Sequence, residues 1–434
     1  MTMSARIAEV RARQILDSRG RPTIEADVRL EDGSAGRACA PSGASRGRYE
    51  AWELRDQDPD HYDGLGVRKA VANANTELAA AILGQEGTAQ EQVDQLMRDV
   101  DGTPSLQRLG ANAILAISMA LARAAADHRK ILLHQYIAEL AGTAMSMPMP
   151  MTNILSGGAH ARRGMDIQDF LVIPVGAGSY SEALEMISRV RLAATSLMTE
   201  QGLTTLLADE GGLSPGFGTA EQAMELMIRS FEAAGLRPGE DAAIALDVAA
   251  SELFEQGAYQ LAGEGRALSG PEMTAFISDL ARRFPIISIE DPLEQDDWEN
   301  WRILTSELPN VQIVGDDLFV TNVERIRHGI AQGVANAALI KLNQNGTVSG
   351  TIAAAAAARS AGYAAVVSAR SGETEDTFIA DLSVGLGTGQ IKIGSVRSSE
   401  RLAKYNQLLR IEEGAELPFA GVSGIYGRSM ASVA

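Results

Sequence analysis

The residues most able to do chemistry follow short apolar runs. Residues 285–289 form a β-branched apolar run, too short for a helix, that ends in Glu290 and Asp291. A single Glu-Asp-Pro sequence is more often a solvated turn, but the pattern recurs. Four further runs end in polar side chains: 242–246 before Asp247, 311–314 before Asp316 and Asp317, 337–340 before Lys341, and 364–367 before Ser368 and Arg370.

These five runs predict parallel strands whose carboxyl ends meet at one face. In a β/α barrel, catalytic residues lie at the carboxyl ends of successive strands. Three acids and a lysine in such a ring suggest a divalent cation with a base opposite it. Oxygen ligands favour Mg²⁺ over zinc.

Composition limits the function classes. The chain has 434 residues and a net charge of −18, so we expect two domains and no nucleic-acid partner, which would require a basic surface. Residues 109–121 are apolar but too short to span a bilayer, and no apolar segment at the N-terminus resembles a secretory signal. The single cysteine, Cys39, excludes an intrachain disulfide. We expect an acidic cytoplasmic protein without a membrane partner.

The order of patterns along the chain indicates two domains. Alternation in residues 4–40 predicts an antiparallel sheet, and residues 67–134 have helical periodicity. The break at 143–150 predicts an N-terminal α+β domain over 1–140 and a β/α barrel over 141–434. Ser181 is the predicted N-cap of a helix over 182–198, and 206–210 is a predicted strand that ends in Asp209 and Glu210. Residues 270–272 are predicted to open a helix.

Motifs over the whole chain resemble those of the enolase family. They are Ile15–Gly20, Pro41–Ser45, Asp209–Gly212, Leu246–Glu252, Ser288–Pro292, Gly315–Asp317, Lys341–Gln344, Arg370–Phe378, Gly389–Lys392 and Arg401–Glu412. They occur in order and without large gaps.

The resemblance implies a fold, a cofactor and a reaction. The fold would be an α+β domain capping a modified (β/α)8 barrel, in a homodimer or homo-octamer. One Mg²⁺ would be held by Asp247, Glu290 and Asp316, and a second, arriving with substrate, by Ser45. Lys341 would be the base and Glu210 the acid that convert 2-phosphoglycerate to phosphoenolpyruvate. Other implied site residues are catalytic Asp169 and His160 and substrate-binding Ala44, Gln168, Arg370, Ser371 and Lys392.

Four departures from the family pattern fall on the implied site. Ala369 replaces a histidine, and Arg46 replaces a threonine after the Ser42–Ser45 loop. Arg162 and Arg163 stand where small or amide residues are usual, and Asp169 is one methylene shorter than the usual glutamate. Lost volume and added guanidinium groups, which bind carboxylate or phosphonate in a bidentate way, suggest a bulkier and more anionic substrate.

This pattern is similar to that expected for carboxyphosphonoenolpyruvate synthase of phosphinothricin-type antibiotic pathways. Its product resembles phosphoenolpyruvate with a carboxylate on phosphorus, so the substrate would be a small anionic organophosphorus compound. Two alternatives stay open. One is an ordinary glycolytic enolase with drifted loops. The other is a catalytically silent homologue that acts as a binding protein.

Overall fold

The structure is a computed structural model that describes residues 5–43, 47–161 and 164–425, without the side chains of Ala159 and His160. Among the described residues, no helix is both long and apolar enough to cross a membrane.

The chain begins with an antiparallel three-stranded sheet, in the order β1-β2-β3. In β2, Ile24, Ala26, Val28 and Leu30 are buried, whereas the intervening side chains are at least partly exposed. This alternation has the period of a sheet with one covered face, so the predicted sheet is confirmed. The strands are β1 Ile7–Leu16, β2 Pro22–Leu30 and β3 Ala35–Cys39.

Helices cover the apolar face of this sheet. The central helix, α4, packs against β2 and β3, and it is buried around most of its circumference. Gly36 permits this close approach, because an added Cβ would lie 2.1 Å from the Ala120 carbonyl oxygen. The helices are α1 Arg68–Asn73, α2 Ala79–Ile82, α3 Gln90–Asp101, α4 Ala111–Arg129 and α5 Leu133–Ala141, with a π-helical segment, Ala74–Leu78, between α1 and α2.

Within the described residues, eight strands close into a barrel in the order β10-β11-β12-β13-β14-β4-β5-β6. The strand β5 is antiparallel to both neighbours, and the other adjacent pairs are parallel. The five predicted strands are β6, β10, β11, β12 and β13. The barrel strands are β4 Met149–Ser156, β5 Asp169–Ile173, β6 Ala243–Asp247, β10 Ile286–Glu290, β11 Gln312–Gly315, β12 Ala337–Ile340, β13 Ala364–Ser368 and β14 Gln390–Lys392.

The remaining elements surround the barrel. A small antiparallel sheet lies between β6 and α8: β7 Phe254–Glu255, β8 Ala258–Leu261 and β9 Arg266–Leu268. The helices are α6 Tyr180–Glu200, α7 Ala220–Ala233, α8 Gly270–Arg283, α9 Trp298–Glu307, α10 Val323–Gln332, α11 Leu342–Asn345, α12 Val348–Ser360, α13 Phe378–Leu386 and α14 Ser399–Gly414. As predicted, α8 opens at residues 270–272, and Ser269 supplies its N-cap.

Two local predictions were wrong. The N-cap of α6 is Ser179, whose hydroxyl accepts from the Glu182 N–H, because the helix begins two residues before Glu182. Residues 206–210 do not form a strand. They have only an isolated bridge, between Leu207 and Leu213, and Leu206 is 74% exposed. Apolar character without a partner strand does not make a strand.

The N-terminal elements are docked against the carboxyl ends of the barrel strands. Arg98 of α3 donates to the carbonyl of Asn345, and the Ser42 N–H donates to the carbonyl of Gly372. A buried ion pair joins Glu50 to Arg370 at 2.8 Å. The boundary between residues 140 and 141 stays a prediction.

Candidate active site

Polar side chains line a small cavity at the carboxyl end of the barrel. Among the described residues, nine of the predicted site residues line it: Gln168, Glu210, Asp247, Asp316, Lys341, Ala369, Arg370, Ser371 and Lys392. A second cavity adjoins it and shares the residues Gln168, Ala249 and Glu252. The structure therefore brings residues separated by more than 200 positions into one place.

Lys392, at the end of β14, bridges two of the predicted metal ligands. Its Nζ lies 2.7 Å from Asp247 Oδ2 and 2.7 Å from Glu290 Oε2, and all three side chains are buried. Burial alone would lower the pKa of Lys392, but the two carboxylates outweigh it and raise the pKa well above its ordinary value. Burial and the charge of Asp247 raise the pKa of Glu290 to about 8.

Lys341, which follows β12, pairs with the third predicted ligand. Its Nζ lies 2.5 Å from Asp316 Oδ2, and the other Asp316 oxygen accepts from Gln344 Nε2 at 2.7 Å. Burial opposes ionisation of both groups. Nevertheless, the pair lowers the pKa of Asp316 and raises that of Lys341. In this state the lysine holds its proton.

A second group of carboxylates lies beside the predicted triad. Oxygens of Asp291, Asp316 and Asp317 lie within 4.8 Å of one another. Asp291 accepts the backbone N–H groups of Asp316 and Asp317, at 2.9 and 2.7 Å, and its φ of 42° is in the left-handed region. Its oxygens are thus engaged in holding the loop after β11. We assign Asp291 to positioning Asp316, and the ligand set Asp247, Glu290 and Asp316 stays a prediction.

The donors that surround the cavity fit a hard divalent cation. The predicted ligands of the first ion, Asp247, Glu290 and Asp316, are all carboxylates, which Mg²⁺ prefers. Glu290 Oε1 is buried and has no hydrogen-bond partner among the described residues. A buried, unpartnered carboxylate oxygen is costly unless a cation satisfies it. The side chains of Lys392 and Lys341 supply the compensating charge in the structure.

Glu210 lies far from Lys341 in the sequence but lines the same cavity. The turn that carries it is closed by the Gly211 N–H donating to the Ala208 carbonyl, and the Ser395 N–H donates to the Glu210 carbonyl at 2.9 Å. Its carboxylate accepts from Asn153 Nδ2 at 3.4 Å. Backbone contacts, rather than a strand, position this residue.

Two adjacent residues, Gln168 directly before β5 and Asp169 at its start, lie close to Asp247 and Lys392. Gln168 Nε2 donates to Asp247 Oδ2 at 3.0 Å. Asp169 is fully buried and accepts from the Ser156 hydroxyl at 2.5 Å. The charge of Asp169 also contributes to the raised pKa of Lys392. Asp169 is not among the described residues that line the cavity. We therefore expect it to act through its charge on Lys392 rather than by contact with the substrate.

The segment after β13 forms one wall of the cavity and contributes the cationic side chain of Arg370. The Arg370 guanidinium is held by Glu50 and by the Asn343 side-chain oxygen at 3.0 Å, and the Ser371 hydroxyl accepts from Arg19 at 3.3 Å. Ala369 is 6% exposed and presents only a methyl group between Ser368 and Arg370.

Six predicted site residues are not placed. Ala44, Ser45, Arg46, Arg162 and Arg163 lie outside the described residues, as does the side chain of His160. Sequence reasoning missed Glu50 and Arg19, which hold Arg370 and Ser371. Because Glu50 is 320 positions from its partner, no local pattern could have revealed it. Gln344 belongs to the Lys341–Gln344 motif. Its position three residues after Lys341, close to one helical turn, could have indicated that both side chains contact the same group, here Asp316.

Fold and site define a capped β/α barrel with a cavity of carboxylates and lysines at its carboxyl end, whose donors suit a divalent cation. Comparison with protein families then gives two matches. The model described as "Enolase, N-terminal domain" matches residues 7–137, and the model described as "Enolase, C-terminal TIM barrel domain" matches residues 144–426. The chain belongs to the enolase family, and it is an enzyme of the enolase superfamily. Members of this family typically use Mg²⁺.

Proposed function

We propose that this enzyme removes a proton alpha to the carboxylate of a small anionic organophosphorus substrate of the 2-phosphoglycerate type. The observation that carries the proposal is the shared cavity of Lys341 and Glu210, with Lys392 and Arg370 in its wall. A base, an acid and two cations around one space are what this reaction needs. The base accepts the proton, the acid assists the leaving group, and the cations stabilise the charge that develops.

The charge balance of this reaction indicates what the three cationic side chains in the described cavity lining, Lys341, Arg370 and Lys392, would do. Deprotonation beside a carboxylate adds a negative charge to a substrate that is already anionic. Mg²⁺, when bound by Asp247, Glu290 and Asp316, would supply further positive charge at that carboxylate. Lys341 can act as a base only after losing its proton, which its contact with Asp316 opposes. Binding of cations near Lys341 would favour the neutral amine.

The identity of the substrate is the finer part of the proposal. We infer that it carries one more anionic group than 2-phosphoglycerate, as in carboxyphosphonoenolpyruvate synthase. Ala369 supports this inference, because its methyl group lines the cavity where the family has an imidazole. Arg46, Arg162 and Arg163 would supply the extra positive charge, and their contribution is an expectation from sequence.

Ordinary enolase activity is the second candidate. It is favoured because Glu210, Asp247, Asp316, Lys341 and Lys392 line the cavity and Glu290 pairs with Lys392. The same set argues against a silent homologue. Burying like-charged carboxylates such as Glu290 and Asp247 is unfavourable even beside Lys392, and a silent homologue has no chemical reason to keep them.

The test compares turnover of 2-phosphoglycerate with binding of phosphoenolpyruvate and of a carboxyphosphonate analogue, all with Mg²⁺. We expect slow 2-phosphoglycerate dehydration and tighter binding of the analogue. Arg46→Thr should remove the preference for the analogue, and Ala369→His should disfavour the analogue by filling the space. Dehydration at tens of turnovers per second or more, unchanged by Arg46→Thr, would instead establish an ordinary enolase. Absence of binding by all three compounds would overturn the whole proposal.

A further inference from the structure

One face of α14 carries three polar side chains into the interior behind the cavity. Arg401, Lys404 and Tyr405 are each completely buried, and their spacing of three and four positions places them on the same side of the helix. Burial of two cationic side chains is costly, and each must be repaid by specific hydrogen bonds. Their partners therefore indicate what these residues do.

Arg401 joins the segments that follow two barrel strands. One guanidinium nitrogen, Nη1, donates to the carbonyls of Arg370 at 2.7 Å and Ile393 at 2.9 Å. The other, Nη2, donates to the carbonyl of Ser371 at 2.7 Å. Arg370 and Ser371 line the cavity, and Ile393 directly follows Lys392. A single planar group thus sets the separation between the β13 and β14 segments.

The neighbouring side chains of α14 extend these contacts. Lys404 Nζ donates to the carbonyl of Thr374 at 2.8 Å and pairs with the Glu373 carboxylate at 3.0 Å. Glu373 in turn accepts the Arg370 N–H at 2.9 Å. The Tyr405 hydroxyl donates to the carbonyl of Gly394 at 2.7 Å. The helix therefore holds both segments at several consecutive residues.

The same contacts reach the predicted acid. The Ser395 N–H donates to the Glu210 carbonyl, and an added Cβ on Gly394 would lie 3.0 Å from that carbonyl oxygen and 3.1 Å from Arg401 Cδ. With a φ of 106°, Gly394 occupies a conformation that L-residues rarely adopt. Arg401, Gly394 and Glu210 are thus packed in direct succession.

We propose that Arg401 is a positioning residue that fixes Arg370 and Ser371 relative to Lys392 and Glu210. It contacts backbone carbonyls, not substrate. Its flat fork reaches carbonyls on two segments at once, which the single ammonium of a lysine cannot reproduce. The inference rests on the proposed function, because it concerns how Arg370 and Ser371, which are proposed to bind the anionic substrate, are held in place.

The test measures phosphoenolpyruvate affinity with Mg²⁺ by calorimetry in the wild type, Arg401→Lys and Arg401→Gln. The glutamine variant buries no charge, so it is included in case the lysine variant does not fold. Thermal unfolding measures whether each variant is folded. We expect each folded variant to bind at least tenfold more weakly. The control is Arg410→Lys on the same helix, whose exposed side chain contacts Gln407 and should leave affinity unchanged.

An Arg370→Ala background separates positioning from general softening of the structure. If Arg401 acts through Arg370 and Ser371, the effect of Arg401→Lys should shrink to threefold or less in that background. An equal effect in both backgrounds, or wild-type affinity in both folded variants, overturns the inference. If the wild type does not bind phosphoenolpyruvate, the proposed function fails and the inference fails with it.

Discussion

Replacing Glu50 by glutamine tests whether the N-terminal domain stabilises Arg370, which lines the cavity. Glu50 Oε2 lies 2.8 Å from Arg370 Nη1, and the two side chains are only 4% and 6% exposed. The pair raises the pKa of Arg370 above its ordinary value despite burial. The Glu50→Gln variant keeps the shape of the side chain but removes the carboxylate charge that pairs directly with the guanidinium.

The expected cost is about 3–5 kcal/mol of unfolding free energy, the range for breaking a buried ion pair by removing one partner. At about 2.1 cal/mol/K per residue, a chain of 434 residues has an unfolding entropy of about 0.9 kcal/mol/K, so this cost lowers the Tm by about 3–5 °C. Differential scanning calorimetry at fixed scan rate and pH 7 measures the shift.

The matched control is Glu240→Gln. Glu240 pairs with Arg237 on the surface, where both side chains are more than 60% exposed. Exposed pairs contribute about 1 kcal/mol or less, so the Tm of the control should change by about 1 °C or less. Equal shifts in the two variants would refute the reasoning, since they would mean that burial of the Glu50–Arg370 pair has no energetic consequence.

Three further outcomes are expected. Burial, together with the charges of Asp376 and Glu25, raises the pKa of the Cys39 thiol, so a thiol reagent should react at pH 8 only after denaturation; fast reaction of the native protein would contradict this burial. Asp316→Asn should weaken Mn²⁺ binding at least tenfold by calorimetry, whereas Asp279→Asn on the surface should not. Below the raised pKa of Glu290, about 8, metal must displace a proton, so Mn²⁺ affinity should rise with pH, up to tenfold per unit from pH 6 to 8. A flat profile would mean that metal binding releases no proton from Glu290, which would contradict this prediction.

The barrel was predictable because its strands are short, fully buried and each followed by a polar side chain. The observed strands β6, β10 and β12 coincide, within one residue at each end, with the apolar runs predicted before Asp247, Glu290 and Lys341. The run at 206–210 has a similar pattern of apolar residues followed by acids, but it has no partner strand among the described residues. A single sequence does not show which segments pair. Likewise, Ser181 was predicted to cap α6, but Ser179 is the N-cap because the helix begins at Tyr180.

The site was predictable only in part, for a related reason. The motifs indicated Lys341, Lys392 and the carboxylates as candidates, but not which of them form ion pairs with one another. The bridge from Lys392 to Asp247 and Glu290 depends on barrel closure. The supporting contacts of Arg370 come from Glu50 and Arg401, which lie far from it in sequence and carry no local sign of that role.

Exchange of the C2 hydrogen of 2-phosphoglycerate with D₂O, followed by NMR with Mg²⁺ present, tests the central claim most directly. The claim is that Lys341 is the base and Glu210 the acid, on opposite sides of one substrate. It predicts exchange in the wild type, retention of exchange in Glu210→Gln, and none in Lys341→Ala. Exchange in Lys341→Ala at the wild-type rate would contradict it, because another residue would then be removing the proton.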